Sequence, residues 1–240
     1  MQTKMDIDDE AAFLDAYRAD DYDRPSVSVD VALLTYRDNT LQAAVIQRQD
    51  HPYQHHWTLP GVFVRIDESL EAAARRALIT KTGLAPPKLA QLATFGDPRR
   101  DPRLRVISVV YYALLPEQTL LDTEEMYDLA QVLTPQQTER GEAQLLMKNK
   151  PISVGFDHAL IIGDVVRRLR GRLQYAPVAQ QLLPTEFTLG QLQQVHEAIG
   201  GRRLNKAAFR RKLLATNSLH ATGRLERNVR HRPAALYRAS

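Results

Sequence analysis

Residues 60–84 read PGVFVRIDESLEAAARRALITKTGL. Within this stretch Leu70, Ala73, Ala74, Ala77 and Leu78 recur at the spacing of one helix face over Ser69–Thr82, and Gly83 stands where a left-handed cap ends a helix. With Trp57-Thr58-Leu59-Pro60-Gly61 before it, the stretch is a strand-loop-helix unit. Upstream, Ser26–Thr35 alternates and then runs apolar, Asp38-Asn39 supplies a turn, and Leu41–Arg48 returns as a second strand, which together predict a hairpin. Downstream, Leu89–Phe95 and Val106–Leu114 read as strands joined by the charged loop Gly96–Arg103. The first 150 residues are therefore α+β. Ahead of them Glu10–Tyr17 predicts a short helix in an Asp-rich lead-in.

Residues 151–184 form a connector. Phe156–Leu173 places Leu160, Ile161, Val165 and Leu169 on one side and ends in Arg167, Arg168, Arg170 and Arg172, so it reads as an amphipathic bridging helix followed by a linker punctuated by Pro177 and Pro184. Residues 185–240 form a third unit. Thr188 is a candidate N-cap for a helix with Leu189, Leu192, Val195 and Ile199 inward, and Gly200-Gly201 ends it. A turn leads into Asn205–Ala215, where Lys206, Arg210, Arg211 and Lys212 surround a Phe209, Leu213, Leu214 stripe. Arg224–Arg232 is a hairpin candidate with regularly spaced arginines, and Pro233–Arg238 returns as a strand. Helix, turn, basic helix and basic ribbon make a winged helix-turn-helix.

Charge separates the units more sharply than composition does. Residues 185–240 carry 11 Lys and Arg against 3 Asp and Glu, a net +8, which leaves 21 against 25, or −4, for the first 184. A compact basic module on an acidic body fits a duplex-binding appendage, because phosphate neutralisation supplies most non-specific nucleic-acid affinity. Leading residues of the second helix reach base edges in such modules. Asn205 and Lys206 are thus the candidate base readers, with Arg210, Arg211, Lys212, Arg224, Arg230 and Arg232 as further DNA-binding residues, the arginines set for phosphates. Zero cysteines exclude disulfides, thiolate zinc sites and cysteine nucleophiles. No long apolar run or leader peptide is visible, so the chain is expected in the cytoplasm with no membrane contact.

The opening stretch also resembles the Nudix box, G-x5-E-x7-R-E-U-x-E-E-x-G-U, where U is apolar. Glu68, Arg76, Leu78, Gly83 and Leu84 match, but the first glycine is Val62 and the three later glutamates are Ala77, Thr80 and Lys81. Those glutamates hold divalent cations against a diphosphate in a working Nudix hydrolase. Neither metal ligands nor catalytic residues are expected here. The resemblance implies a Nudix-like α/β/α sandwich with a mixed sheet. The groups expected to bind an ADP-ribose-like ligand are Arg48 at a strand end, Trp57 as an aromatic plate, Glu68 of the box, and Arg99, Arg100, Asp101 and Arg103 in one loop. Arginines clamp diphosphate and aromatic faces stack on adenine. His55-His56 reads as loop polarity, because neighbouring residues on a strand point apart.

Over nearly its whole length the chain resembles the Nudix-related transcriptional regulators of NAD metabolism. Phe187-Thr188-Leu189, Phe209-Arg210-Arg211-Lys212, Arg232–Arg238 and Arg100-Asp101-Pro102-Arg103 carry that resemblance, while Leu104 departs from the small residue expected after Arg103. It implies a homodimeric repressor of NAD biosynthesis or salvage genes, bound to double-stranded operator DNA and released by ADP-ribose or a related metabolite, with no cofactor beyond that effector. Two other classes stay open: an active Nudix hydrolase of ADP-ribose-type nucleotides with an accessory DNA-binding domain, and a protein-interaction adaptor.

Overall fold

The computed structural model describes residues 10–85, 88–120, 126–133, 141–173, 176–215, 219–227 and 232–239. A helix α1 (Glu10–Ala16) buries no side chain, and the sheet begins with β1 (Ser26–Arg37). Asp38 and Asn39, both at positive φ, turn it into β2 (Thr40–Gln47), as a two-residue hairpin loop requires. Two short strands, β3 (Trp57–Thr58) and β4 (Gly61–Phe63), pair with β2 and β1. Helix α2 (Leu70–Thr82) follows, with Ser69 Oγ accepting from the Ala72 N–H at its start and Gly83, at φ 69°, closing it.

Strands β5 (Ala90–Phe95), β6 (Val106–Leu114), β7 (Asp128–Leu133), β8 (Gln144–Met147) and β9 (Lys150–Pro151) complete the sheet in the order β5-β6-β1-β2-β7-β8-β9. β6 runs parallel to β1 and the remaining pairs are antiparallel, so the sheet is mixed. Both faces are covered, which explains why β6 reads as a nearly unbroken apolar run and β1 as one through its second half. Val29, Val31 and Leu33 pack with the small face Ala73, Ala74, Ala77 and Leu78 of α2, whereas Ala32 and Leu34 face the opposite core.

That opposite core is closed by α3 (His158–Arg172), whose Ile161, Ile162, Val165, Val166 and Leu169 are buried. The helix expected to be only a bridge is thus the third layer of the sandwich. Gly163 lets it approach the sheet side closely, since a Cβ there would lie 1.5 Å from the Gly141 carbonyl oxygen. The same core continues through a 3-10 turn at 179–182 into α4 (Leu189–Gly200) by way of Leu182, Phe187, Leu192, Val195 and Ile199. Among the described residues no extended linker separates the basic module from the sandwich. Pro177 and Pro184 flank a packed corner in which Val178, Ala179, Leu182 and Leu183 are buried.

The C-terminal module is α4, α5 (Lys206–Ala215) and a three-stranded sheet in the order β10-β12-β11, formed by β10 (Phe187–Thr188), β11 (Leu219–Leu225) and β12 (Ala235–Ala239). Thr188 and Gln191 form a reciprocal capping box at the start of α4. The module is a winged helix, with the antiparallel pair β11 and β12 as its wing. No helix among the described residues is long and apolar enough to cross a membrane.

Candidate functional site

A cavity of about 380 Å³ opens between β1, β2, β4 and the first turn of α3. Its floor is a buried polar cluster. Asp30 of β1 accepts from Ser108 Oγ of β6 at 2.5 Å and from Arg100 Nη2 at 3.3 Å, and its other oxygen lies 3.5 Å from His158 Nε2. The Leu59 N–H donates to His158 Nδ1 at 2.9 Å, so that nitrogen is the acceptor and the proton sits on Nε2, facing Asp30. Burial alone would raise the Asp30 carboxyl; His158, the Ser108 hydroxyl and Arg100 outweigh it and bring the group down to about 2. Gly61 is required beside it, because a Cβ would fall 2.2 Å from Asp30 Oδ1.

Arg100 was expected as an open clamp for a diphosphate. Instead its side chain is 4% exposed and bound to Asp157 through Nε at 2.9 Å and Nη2 at 2.7 Å, as well as to Asp30. It joins the loop before β6 to the residue that precedes α3. Arg103 is the accessible cation of that loop that lines the cavity. Asp101 orients it through Nε at 3.0 Å and Nη2 at 2.8 Å, and the guanidinium lies 5.8 Å from the Phe63 ring and 5.9 Å from the Phe156 ring. Arg48 also lines the cavity, 5.1 Å from the Phe156 ring, its Nε donating to the Pro52 carbonyl.

The aromatic plates of the cavity are therefore Phe63 and Phe156. Trp57, expected in that role, packs partly buried against the core of the α3 side and does not line the cavity. Phe156 was passed over because it reads as the first apolar residue of a helix. The chain holds it at φ 55°, an uncommon conformation for a bulky residue, between Tyr53 and Arg48. Arg99 is 93% exposed and outside the lining. Glu68 is also outside it: Arg76 pairs with it through two nitrogens and the Arg65 N–H donates to it at 2.8 Å, which together hold its carboxyl near 2. The box glutamate is a structural tie.

The Nudix fold implies a divalent metal on α2, and the residues present do not fit one. Ala77 offers only a methyl group, Thr80 spends its hydroxyl on the Arg76 carbonyl at 2.7 Å, and Lys81 puts a cation into the lining. A hard dication needs several oxygen ligands. Among the described residues no group of three or more His, Asp and Glu is placed to hold one.

In the basic module α5 buries nothing, and Lys206, Arg210, Arg211 and Lys212 are exposed with no ion pair to a described residue. Asn205 lies just before the helix rather than within it. Its Oδ1 accepts from the Ala208 N–H at 3.0 Å, so the oxygen expected to read adenine is already engaged as the cap. Arg224 departs from the phosphate-contact expectation too, since it shares Glu186 with Arg238 at 3.2 Å and 2.6 Å. Arg232 is exposed just ahead of β12, and Arg230 lies outside the described residues.

Two domain families match this chain, the NUDIX domain over residues 25–150 and the NrtR DNA-binding winged helix domain over 179–239. The ADPR responsive transcriptional repressor NtrR of Acinetobacter baylyi is 33% identical over 240 residues, which covers 99% of this chain and 91% of that protein. The chain belongs to the NrtR family. Within it, Shewanella oneidensis NrtR complexed with a 27mer DNA is 32% identical with a TM-score of 0.73, covering 89% of this chain and 93% of its own. The NUDIX domain of that regulator complexed with ADP ribose is 30% identical with a TM-score of 0.52, over 67% of this chain and 99% of its own. The NUDIX portion is also similar to the ADP-ribose pyrophosphatase of Methanocaldococcus jannaschii, 30% identical over 150 residues, which is 62% of this chain and 78% of that enzyme.

Proposed function

We propose that the chain represses genes of NAD biosynthesis or salvage as a homodimer on a two-fold related operator, and that ADP-ribose or a related metabolite in the sandwich cavity releases it. The observation that carries this reading is the placement of one helix. Phe156, Asp157 and His158 bring the start of α3 to the cavity, while Arg170 near its other end donates to the Ile199 carbonyl of α4 at 2.8 Å. A ligand that favours one seating of α3 acts on the helix that carries the recognition module. Such a ligand shifts the protein only by its differential affinity for the two seatings.

Arg103, flanked by two rings and oriented by Asp101, suits a charged phosphate beside a stacking base. The exposed cations of α5 suit a major groove, with Lys206 at its leading end. The sensor works without cofactor or hydrolysis, because the glutamates that would hold a metal are replaced. It acts on the chromosome and hence in the cytoplasm. A gel shift on the organism's own NAD-gene promoters tests the reading: ADP-ribose should raise the protein concentration needed for half-maximal binding, and complexes indifferent to it would refute the effector.

The similarity to an ADP-ribose pyrophosphatase supports a second reading, in which the same cavity also cleaves the ligand. Magnesium-dependent release of AMP, abolished by a chelator, would establish it.

A further inference from the structure

We infer that this sensor binds its diphosphate ligand without a metal and that Lys81 supplies the countercharge on α2. The inference rests on the effector reading above and deepens it. Seven charged side chains line the cavity: Arg48, Lys81, Arg100, Arg103, Asp30, Asp50 and Asp101. Four of them are already neutralised in pairs, Arg100 with Asp30 and Arg103 with Asp101, and Asp50 is exposed at the rim. Arg48 and Lys81 have no carboxylate partner among the described residues; Arg48 donates to backbone carbonyls and Lys81 forms no hydrogen bond or ion pair with a described residue.

A diphosphate entering the cavity finds these two cations in its lining, and Lys81 stands on α2 at one of the positions where the box carries a metal-binding glutamate. A divalent ion on α2 would be repelled by Lys81 and would find neither of the carboxylates it needs at Ala77 and Thr80. The Lys81 side chain belongs to the protein itself, so the affinity of this sensor does not depend on the free magnesium concentration. Lys81 is exposed near the end of α2, and its removal leaves the sandwich core untouched.

Calorimetry with ADP-ribose on the full-length protein tests this. The wild type should bind with affinities within about twofold in EDTA and in millimolar Mg²⁺. Lys81→Gln should bind about 10- to 100-fold more weakly in both buffers, as loss of one charge-assisted contact does, with a shallower salt dependence. Lys81→Arg should recover most of the affinity. A wild type that needs Mg²⁺, or a Lys81→Gln protein that binds as the wild type does, overturns the inference while leaving the effector assignment standing. If the wild type binds ADP-ribose in neither buffer, the effector assignment itself falls and takes the inference with it.

Discussion

Arg100 holds Asp157 by two hydrogen bonds of 2.7 and 2.9 Å across 57 residues of sequence, tying the cavity loop to the residue that leads into α3. Both partners are largely buried, so the pair tolerates the loss of neither. Replacing Arg100 by Met strands Asp157 and removes one of the donors to Asp30. Breaking a buried pair from one side costs about 3–5 kcal/mol. Thermal unfolding of Arg100→Met should show a loss of that order, and a loss under about 1 kcal/mol would mean that the pair is not what fixes α3 to the loop.

Hydrolysis should be undetectable. Incubation with ADP-ribose and Mg²⁺ or Mn²⁺ is expected to leave the ligand intact, since Ala77, Thr80 and Lys81 stand at the ligand positions of α2. Chelator-sensitive formation of AMP and ribose phosphate is the contrary result.

On DNA, cations of the same net charge should differ by their existing partners. Lys206→Ala should lower discrimination between operator and random duplex by about 1–3 kcal/mol, and Arg210→Ala should weaken both alike and reduce the salt slope by about one unit. Arg224→Ala should do less than Arg210→Ala, because Glu186 already occupies that guanidinium. Asn205→Ala should act on the helix through the lost cap, at a cost of about 1 kcal/mol in stability. Equal salt slopes for the Arg210 and Arg224 variants would contradict this ranking.

Acid should loosen the winged module before the sandwich floor. His196 packs edge-on against Phe209 of α5, 5.0 Å between rings, and burial with the nearby Lys212 charge lowers its pKa from 6.5 to about 4. The folded state therefore disfavours its proton. Stability from neutral His196 is complete above about 6.5 and declines as pH falls towards 4, by roughly 3 kcal/mol at most. Asp30 is depressed as well, so its contribution is present above 3.8 and lost only as pH falls towards 2. His196→Gln should flatten the unfolding profile between pH 6.5 and 4, and an unchanged profile would assign that window to other groups.

The elements legible in the sequence were those with strong periodicity and punctuation. α2, bounded by Ser69 and Gly83, and β6, an unbroken run over Val106–Leu114, lie where their patterns place them. β7, β8 and β9 are short and partly polar, with patterns too brief to separate from loop. At the site, Arg48, Arg100, Asp101 and Arg103 all line the cavity, but Arg100 is closed off as a clamp by Asp30 and Asp157, partners remote in sequence. Phe63 and Phe156 were invisible as ligand plates. Their positions depend on β4 pairing with β1 and on the left-handed turn before α3, neither of which leaves a local composition signal.

The central claim is that cavity and operator are coupled through α3, and thermodynamic linkage tests it most directly. ADP-ribose affinity should be measured by calorimetry on the free protein and on the same protein saturated with operator. A coupling of about 1–3 kcal/mol predicts roughly 5- to 150-fold weaker ADP-ribose binding on DNA, matched by an equal weakening of operator binding when ADP-ribose saturates the cavity. One ADP-ribose affinity with and without operator would contradict the account, however tightly each ligand binds alone.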